Sequence, residues 1–191
     1  MNDVAQPQAL STDEAGLVGR AQAGDAQAFA VLYDVHVARV YRYVFYHLGN
    51  QADAEDVSQQ TFLQAWRAIG TYRRGTSPFI AWLLTIAHNA AVSLRRRTKD
   101  ETRFEVEPAA THRWSDPEAQ ALSKYDRLAV RRAILRLKPD QQQVVLLRFL
   151  EQLDYAEIAA ALGKREGNIR VIQHRALTEL RRMLASEVAE R

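Results

Sequence analysis

The sequence predicts an all-α protein in which a flexible acidic linker joins two small helical domains. Apolar residues recur at steps of three and four along most of the chain, which is typical of amphipathic helices. This periodicity stops at residues 99–115, where polar and acidic residues predominate. The C-terminal half then contains a pattern typical of a helix-turn-helix. We therefore predict an N-terminal segment at 1–24, domains at 25–98 and 116–191, and a linker at 99–115.

Capping signals predict the first two helices. Ser11 and Glu14 have the spacing of a capping box, so a short first helix is expected to begin there and to end near Gly24. Asp25 is expected to cap a long second helix, and Gly49 is expected to end it. The apolar positions of the second helix are Phe29, Leu32, Tyr33, Val37, Val40, Tyr41, Val44 and Leu48.

The third helix is predicted from its cap, Asn50, to about Ile69. Its first turn contains Asp53, Glu55 and Asp56. Negative charge is favoured at a helix N-terminus, so compensation of the helix dipole explains these residues without any binding role.

A loop at residues 70–77 is predicted to separate the third helix from the fourth. It contains Tyr72, Arg73 and Arg74. The fourth helix is expected to begin at Pro78, because proline at the first helical position loses no hydrogen bond. Its apolar stripe contains Phe79, Trp82, Leu83, Ile86 and Ala90. A separate polar face contains Thr85, Asn89, Ser93 and Arg96. The arginine run that ends the helix fits either a nucleic-acid contact or a solvated helix end.

Four helices are predicted after the linker, at about 116–137, 139–150, 155–162 and 166–185. Gly163 stands where the third of them must end and the chain must turn. The last helix has one apolar stripe, and its opposite side carries Arg170, Val171, His174, Arg175, Thr178, Arg181 and Arg182. A DNA-recognition helix needs this arrangement, since arginine can read guanine and valine can contact a thymine methyl group. An ordinary helical hairpin with a basic outer face is the alternative.

The composition excludes several kinds of site. The chain has no cysteine, which rules out disulfides, cysteine nucleophiles and cysteine-ligated zinc. Its five histidines are scattered, without a His-x-x-x-His or phosphate-loop pattern, so we expect no catalytic residue, no cofactor and no metal. The N-terminus lacks a secretory pattern and no apolar run is long enough for a bilayer, so we expect a soluble cytoplasmic protein without membrane insertion.

Taken together in this order, the motifs resemble the extracytoplasmic-function group of bacterial RNA polymerase sigma factors. In the first half the resemblance is carried by Asp53–Val57, Thr61–Trp66, Phe79–Asn89 and Arg95–Arg97. In the second half it is carried by Leu137–Pro139, Val144–Leu150, Tyr155–Ala159 and His174–Ala176. The likeness covers residues 20–185 except the linker, and the combination is much more specific than either half alone.

The resemblance implies three functional surfaces. The third helix would bind the coiled coil of the largest subunit of core RNA polymerase through Asp53, Glu55, Asp56, Gln59, Gln60 and Gln64. The loop and fourth helix would bind and open the minus-ten element through Tyr72, Arg73, Arg74, Asn89, Ser93, Arg96 and Arg97. The last helix would read the minus-thirty-five element of promoter DNA through Arg165, Asn168, Arg170, Val171, His174 and Arg175. An anti-sigma factor is an expected further partner, and the linker would follow the RNA-exit path.

Several residues depart from the pattern of this group. His88 stands where many relatives have arginine, and Ser93 stands where many have aspartate. In the recognition helix Val171, Ile172 and Gln173 replace a frequent serine, arginine and leucine. These departures concern which promoter is read.

Two other classes of function were weighed against a sigma factor. A stand-alone transcriptional regulator would use the same helix-turn-helix, but it gives no role to the motif Asp53–Trp66 or to the arginine-ended fourth helix. An enzyme is disfavoured by the scattered histidines.

Overall fold

The computed structural model describes residues 7–98 and 124–189, and every regular element in these ranges is helical. The eight α-helices are α1 Pro7–Gln22, α2 Ala26–Leu48, α3 Gln51–Ala68, α4 Phe79–Thr98, α5 Lys124–Arg136, α6 Pro139–Val145, α7 Tyr155–Leu162 and α8 Glu166–Ala189. A 3₁₀ turn, Ile69–Thr71, follows α3, and a π-helical turn, Leu146–Leu150, follows α6. None of the helices in the described ranges has the length and apolarity needed to cross a membrane. The predicted linker lies outside the described residues.

The predicted caps of α2 and α3 are confirmed. The Asp25 carboxylate accepts hydrogen bonds from the backbone N–H groups of Gln27 (3.0 Å) and Ala28 (3.1 Å). The hydrogen bond from the Ala28 N–H has the largest effect on the pKa of Asp25, and the hydrogen bond from the Arg20 side chain has the next largest. Both hold this pKa below its ordinary value. Gly49 ends α2 with a left-handed φ of 94°, which glycine adopts without steric cost. Such short-range caps are specified by the sequence within a few residues, which is why they could be predicted.

Two predicted boundaries are wrong. The first helix begins at Pro7, so the Ser11–Glu14 pattern lies inside α1 and not at its start. The predicted helix 139–150 is regular only to Val145, because Leu146–Leu150 form a π-helical turn. The extra residue in such a turn rotates the chain that follows, and here the turn leads directly to the buried Glu151.

The two halves of the chain share one hydrophobic core. Buried side chains of α1–α4, such as Leu48 and Leu84, belong to the same cluster as Leu146, Leu147 and Ile158 of the second half. Helix α2 contacts α5 and the π-helical turn, and α4 contacts α7. The described part of the chain therefore has its two helical halves packed on each other.

Candidate functional site

One face of α3 is polar and exposed, as expected for a docking surface. On the inner side of the helix Val57 and Phe62 are buried and Trp66 is half-buried. Asp56, Gln59, Gln60 and Gln64 are all exposed on the other side of the helix.

Two acidic residues of α3 have local partners. The Asp53 carboxylate accepts a 2.6 Å hydrogen bond from the Asn50 side chain, whose oxygen caps the Asp53 N–H at 2.8 Å. Glu55 accepts a 2.9 Å bond from Gln51. Asp53 and Glu55 therefore have partners within the start of α3, whereas Asp56 is exposed.

Leu63 is a residue of this face that the sequence reasoning missed. Its side chain is 58% exposed, the largest exposure among the large hydrophobic residues described. It lies four residues after Gln59 and three after Gln60, so it shares their side of the helix. An exposed leucine surrounded by polar side chains is the usual composition of a protein-binding surface, and counting α3 positions at helical spacing would have found it.

The loop after α3 is built on Tyr72, whose side chain is only 8% exposed. Its ring packs against Phe79 and Trp82, at centroid distances of 5.2 and 5.4 Å. Its hydroxyl donates a 2.8 Å hydrogen bond to the Ser77 carbonyl, which closes the loop. Burial raises the pKa of Tyr72. Tyr72 therefore shapes the loop from within, and its expected contact with DNA stays a prediction.

An open pocket of about 430 Å³ lies beside this loop. Helix α1, the loop and the start of α4 form most of its wall, and α7 adds Ala156 and Glu157. Arg74 lines the pocket, and Arg73 is exposed next to it. Gly75 turns the loop with a φ of 83°. Small-molecule sites have volumes in this range, so the pocket is large enough to receive an unstacked base beside a cation.

The predicted polar face of α4 is exposed except at Thr85, which is half-buried and donates its hydroxyl to the Ala81 carbonyl. Asn89, Ser93, Arg96 and Arg97 all reach solvent, while Phe79 is buried and Trp82 is half-buried, both packed against Tyr72 of the loop. The next residue in the sequence, His88, lies inside the protein, so its departure from the family pattern does not alter this face.

His88 forms a buried pair with His47 of α2. The His47 Nε2 and His88 Nδ1 atoms are 3.0 Å apart, and the rings stack with centroids 4.8 Å apart. Tyr43 and Gln142 flank the pair. Burial lowers the pKa of His47 to about 3 and the pKa of His88 to about 4. Both rings are therefore neutral at neutral pH.

This pair predicts a loss of stability in mild acid. An unfolded histidine takes up a proton near pH 6.5, whereas the folded pair resists protonation until about pH 4, so the unfolded state gains protons first as the pH falls. We expect the pair to reduce the free energy of unfolding by roughly 2–4 kcal/mol between pH 7 and pH 5. Urea unfolding at both pH values measures this loss.

The matched variants are His88→Gln, in the pair, and His174→Gln, on the exposed surface. His88→Gln should lose about half as much stability on acidification as the unsubstituted chain, and His174→Gln should lose the same amount. Equal losses in all three proteins would contradict the buried neutral pair.

The helix-turn-helix of α7 and α8 follows the prediction closely. Asp154 and Glu157 form a capping box: the Asp154 side chain accepts from the Glu157 N–H at 2.7 Å, and the Glu157 side chain accepts from the Asp154 N–H at 2.8 Å. Gly163 ends α7 with a φ of 61°. Ile169 and Ala176 of α8 are buried. Rigid packing of α8 on α7 and α6 thus fixes which side of α8 faces solvent.

The outer side of α8 presents all the predicted groups. Asn168, Arg170, His174 and Arg175 of α8 are exposed, Val171 is 49% exposed, and Arg165 is exposed in the turn just before the helix.

Arg170 is also held in place. Its guanidinium lies 4.0 Å from the centroid of the Tyr155 ring, within cation–π distance, and forms a 3.5 Å ion pair with Glu166. Among the described residues no group of histidines and carboxylates could hold a metal ion.

Comparison with known proteins identifies the family of this chain. The sequence models of Sigma-70 region 2 and Sigma-70 region 4 match residues 32–101 and 127–180. The ECF RNA polymerase sigma factor SigL of Mycobacterium tuberculosis is 32% identical over 168 residues, which cover 86% of this chain and 93% of SigL. The chain belongs to the ECF RNA polymerase sigma factors.

A second relative of this sigma factor is BldN of Streptomyces coelicolor, also an ECF RNA polymerase sigma factor. It is 42% identical over 175 residues, which cover 90% of the present chain but only 66% of BldN. The fold of this sigma factor is similar to that of RpoE from Bartonella quintana, solved in complex with the anti-sigma factor NepR. That structure has a TM-score of 0.63 and 23% identity, covering 82% of this chain and 96% of RpoE.

Each candidate surface of this sigma factor lies in one of the two matched regions. The region 2 match contains the α3 face, the loop and α4, and the region 4 match contains the helix-turn-helix. Two of the three candidate surfaces therefore lie in the region 2 match, and the third lies in the region 4 match.

Proposed function

We propose that the chain binds core RNA polymerase, directs it to specific promoters and helps to open the minus-ten element. The observation that carries this proposal is the presence of two different recognition surfaces on one chain: an α3 face with an exposed apolar centre, and a basic helix-turn-helix. A DNA-binding protein without a polymerase partner needs only the second. The function is that of a promoter-specificity subunit without catalysis of its own, acting in the cytoplasm where polymerase and promoter meet.

The α3 face is the proposed site for core polymerase. Asp56, Gln59, Gln60 and Gln64 surround Leu63, so an apolar contact is framed by hydrogen-bonding groups, as in many protein interfaces. Asp53 and Glu55 complete the face and contribute negative charge near the N-terminus of the helix.

The loop and α4 are the proposed site for the minus-ten element. Opening of a duplex requires an extruded base to be held and the backbone to be neutralised. The pocket beside Tyr72 supplies the cavity, and Arg73 and Arg74 supply charge at its rim. The exposed α4 groups, Asn89, Ser93, Arg96 and Arg97, continue this basic surface.

Residues 25–98 are proposed as one functional domain and residues 116–191 as the other.

Helix α8 is the proposed reader of the minus-thirty-five element. We expect Arg175→Ala to lower the affinity for duplex promoter DNA by about tenfold or more, because a bidentate arginine contact with guanine is worth about 1–3 kcal/mol. Fluorescence anisotropy with a labelled duplex measures this affinity at fixed salt concentration.

Arg182→Ala is the matched control for that measurement. Arg182 is on the same helix but pairs with Glu179 at 2.6 Å near the C-terminal end. Its removal should change the affinity less than about threefold and equally for all sequences. If Arg175→Ala behaves like Arg182→Ala, α8 does not read the groove through Arg175.

An anti-sigma factor is the proposed further partner. The similarly folded RpoE was solved with such a partner, NepR, and this supports the proposal for the present chain.

Gel filtration of the chain with purified core polymerase tests the central step of this function. A sigma factor should co-elute with core polymerase. Without polymerase, it should not elute as a dimer bound to DNA. A stand-alone regulator would bind duplex DNA as a dimer and would leave the polymerase peak unchanged.

A further inference from the structure

Helix α1 contacts the loop of the proposed minus-ten site, although it lies outside both matched regions. It spans Pro7–Gln22, whereas the region 2 match begins at residue 32. Val18 and Ala21, each 1% exposed, hold α1 in the hydrophobic core. The helix also packs on the 3₁₀ turn that leads into the loop. The contacts of α1 with the loop therefore add to the site that the matched regions contain.

Gln22, the last residue of α1, fixes the start of the loop. Its side-chain Nε2 donates hydrogen bonds to the Tyr72 carbonyl at 2.8 Å and to the Ile69 carbonyl at 3.1 Å. These carbonyls lie at the two ends of the 3₁₀ turn. A glutamine amide has two N–H donors, and Gln22 uses both of them on this turn. The position of Tyr72, and with it the start of the loop, is therefore tied to α1.

Gly19 leaves room on α1 for the side chain of Arg74. Glycine disfavours the interior of a helix, yet α1 contains both Gly16 and Gly19. A Cβ atom at Gly19 would lie only 2.9 Å from Arg74 Nη1 and 3.6 Å from Arg74 Cζ. A Cβ atom at Gly16 would meet no described atom within 4 Å. The guanidinium of Arg74 thus occupies the space that a side chain at Gly19 would fill.

This contact keeps the charge of Arg74 beside the pocket. Arg74, Glu14 and Tyr72 all line the pocket. Burial, followed by the charge of Glu14, raises the pKa of Tyr72, and the nearby charge of Arg74 opposes this rise. An arginine that already lies in place loses less conformational freedom on binding a phosphate than one that moves freely in solvent. Helix α1 therefore acts on both the loop and its cation.

We infer that Gly19 and Gln22 of α1 are positioning residues for opening of the minus-ten element. Gln22 holds the loop, and Gly19 leaves the space in which the Arg74 guanidinium lies beside the pocket. The inference rests on the proposed function for its consequence, while the positioning itself is a property of the chain alone. It extends the proposed minus-ten site from the loop and α4 to α1.

Gly19→Ala and Gly16→Ala are a matched pair that tests the space left for Arg74. Alanine is the best helix former, so both substitutions should favour α1. Only Gly19→Ala places a methyl group where the guanidinium lies, and this flexible side chain must then move away. Permanganate reactivity of minus-ten thymines measures opening by the holoenzyme on a promoter that the unsubstituted chain opens. Opening should fall about fivefold or more for Gly19→Ala and less than about twofold for Gly16→Ala, because a misplaced group lowers the rate of the step that it assists.

The same substitution in an Arg74→Ala background decides whether Gly19 acts through the guanidinium. Without that side chain the new methyl group displaces nothing, so Gly19→Ala should reduce the remaining opening by less than about twofold. A further loss of about fivefold would show that Gly19 acts through the packing of α1 instead, and would overturn its positioning role. Urea unfolding and titration with core polymerase establish that each variant is folded and bound.

Tryptic cleavage of the loop tests the positioning without polymerase or DNA. Arg73 and Arg74 are the cleavage sites of the loop, and cleavage requires the loop to leave its place. Gln22→Leu removes both hydrogen bonds and should raise the initial cleavage rate at these sites about fivefold or more. Gln22→Asn, whose amide is one methylene too short to reach both carbonyls, should act in the same direction if Gln22→Leu impairs folding. Gln27→Leu, at an exposed position of α2, should leave the rate within about twofold.

Failure of the inference and failure of the proposed function give different results. If the unsubstituted chain opens no promoter, the proposed function fails, and tryptic cleavage still decides whether α1 positions the loop. Gly19→Ala should then be cut after Arg74 about threefold or more faster than Gly16→Ala. The inference is overturned if both Gln22 variants are cut at the rate of the unsubstituted chain, or if Gly19→Ala opens promoters as well as Gly16→Ala does.

Discussion

Replacing Leu63 by aspartate should weaken binding to core RNA polymerase by about 30-fold or more. Apolar residues at the centre of a protein interface often contribute 2 kcal/mol or more, and a carboxylate introduced there must be desolvated without a partner. Because Leu63 is 58% exposed in the free chain, the substitution should barely change the free energy of unfolding. Titration of fluorescently labelled chain with core polymerase measures the affinity.

Val171→Asp is the matched control for Leu63→Asp. Val171 is also an exposed apolar residue, at 49%, but it lies on the outer side of α8. The substitution should leave the affinity for core polymerase within about twofold and should weaken promoter binding, because a carboxylate would face the DNA backbone. If the two substitutions affect polymerase binding equally, the α3 face is not the docking surface.

Replacing Phe79 by alanine should reduce the free energy of unfolding by about 3–5 kcal/mol, the usual cost of removing a buried phenylalanine. The side chain is 1% exposed, and its ring contacts His36, Tyr72 and Trp82 at centroid distances of 5.2–5.5 Å. These contacts hold the loop that borders the pocket. Where the variant is still folded, strand opening should therefore be impaired while duplex promoter binding by α8 is preserved.

Urea unfolding at pH 7 measures the stability, and permanganate reactivity of thymines in the minus-ten element measures the opening. Val35→Ala, at a 45% exposed position of α2, should change the free energy of unfolding by less than about 0.5 kcal/mol. A loss of less than about 1 kcal/mol for Phe79→Ala would contradict the packing described for the loop.

Features that depend on neighbours in sequence could be predicted, and features that depend on distant contacts could not. Asp25 and Asn50 cap helices through N–H groups two or three residues away, so local pattern is sufficient. His47 and His88 are 41 residues apart, and Glu151 is 112 residues from Arg39. Those pairings follow from tertiary packing, which periodicity alone does not specify.

Tyr72 shows a similar limit for the site. An aromatic residue directly before two arginines in a loop has the composition of a base-stacking contact. Burial of its ring against Phe79 and Trp82 depends on how α4 returns past the loop. The outer faces of α4 and α8 are easier to predict from sequence, because helical spacing determines which side chains share a face once the buried stripe is known.

Transcription by purified core polymerase on a library of randomised promoters tests the proposed function most directly. With this chain added, the initiated transcripts should share two sequence elements at a fixed separation, one near minus ten and one near minus thirty-five. No initiation above the level of core polymerase alone, or selection of a single palindromic site that requires no polymerase, would contradict it.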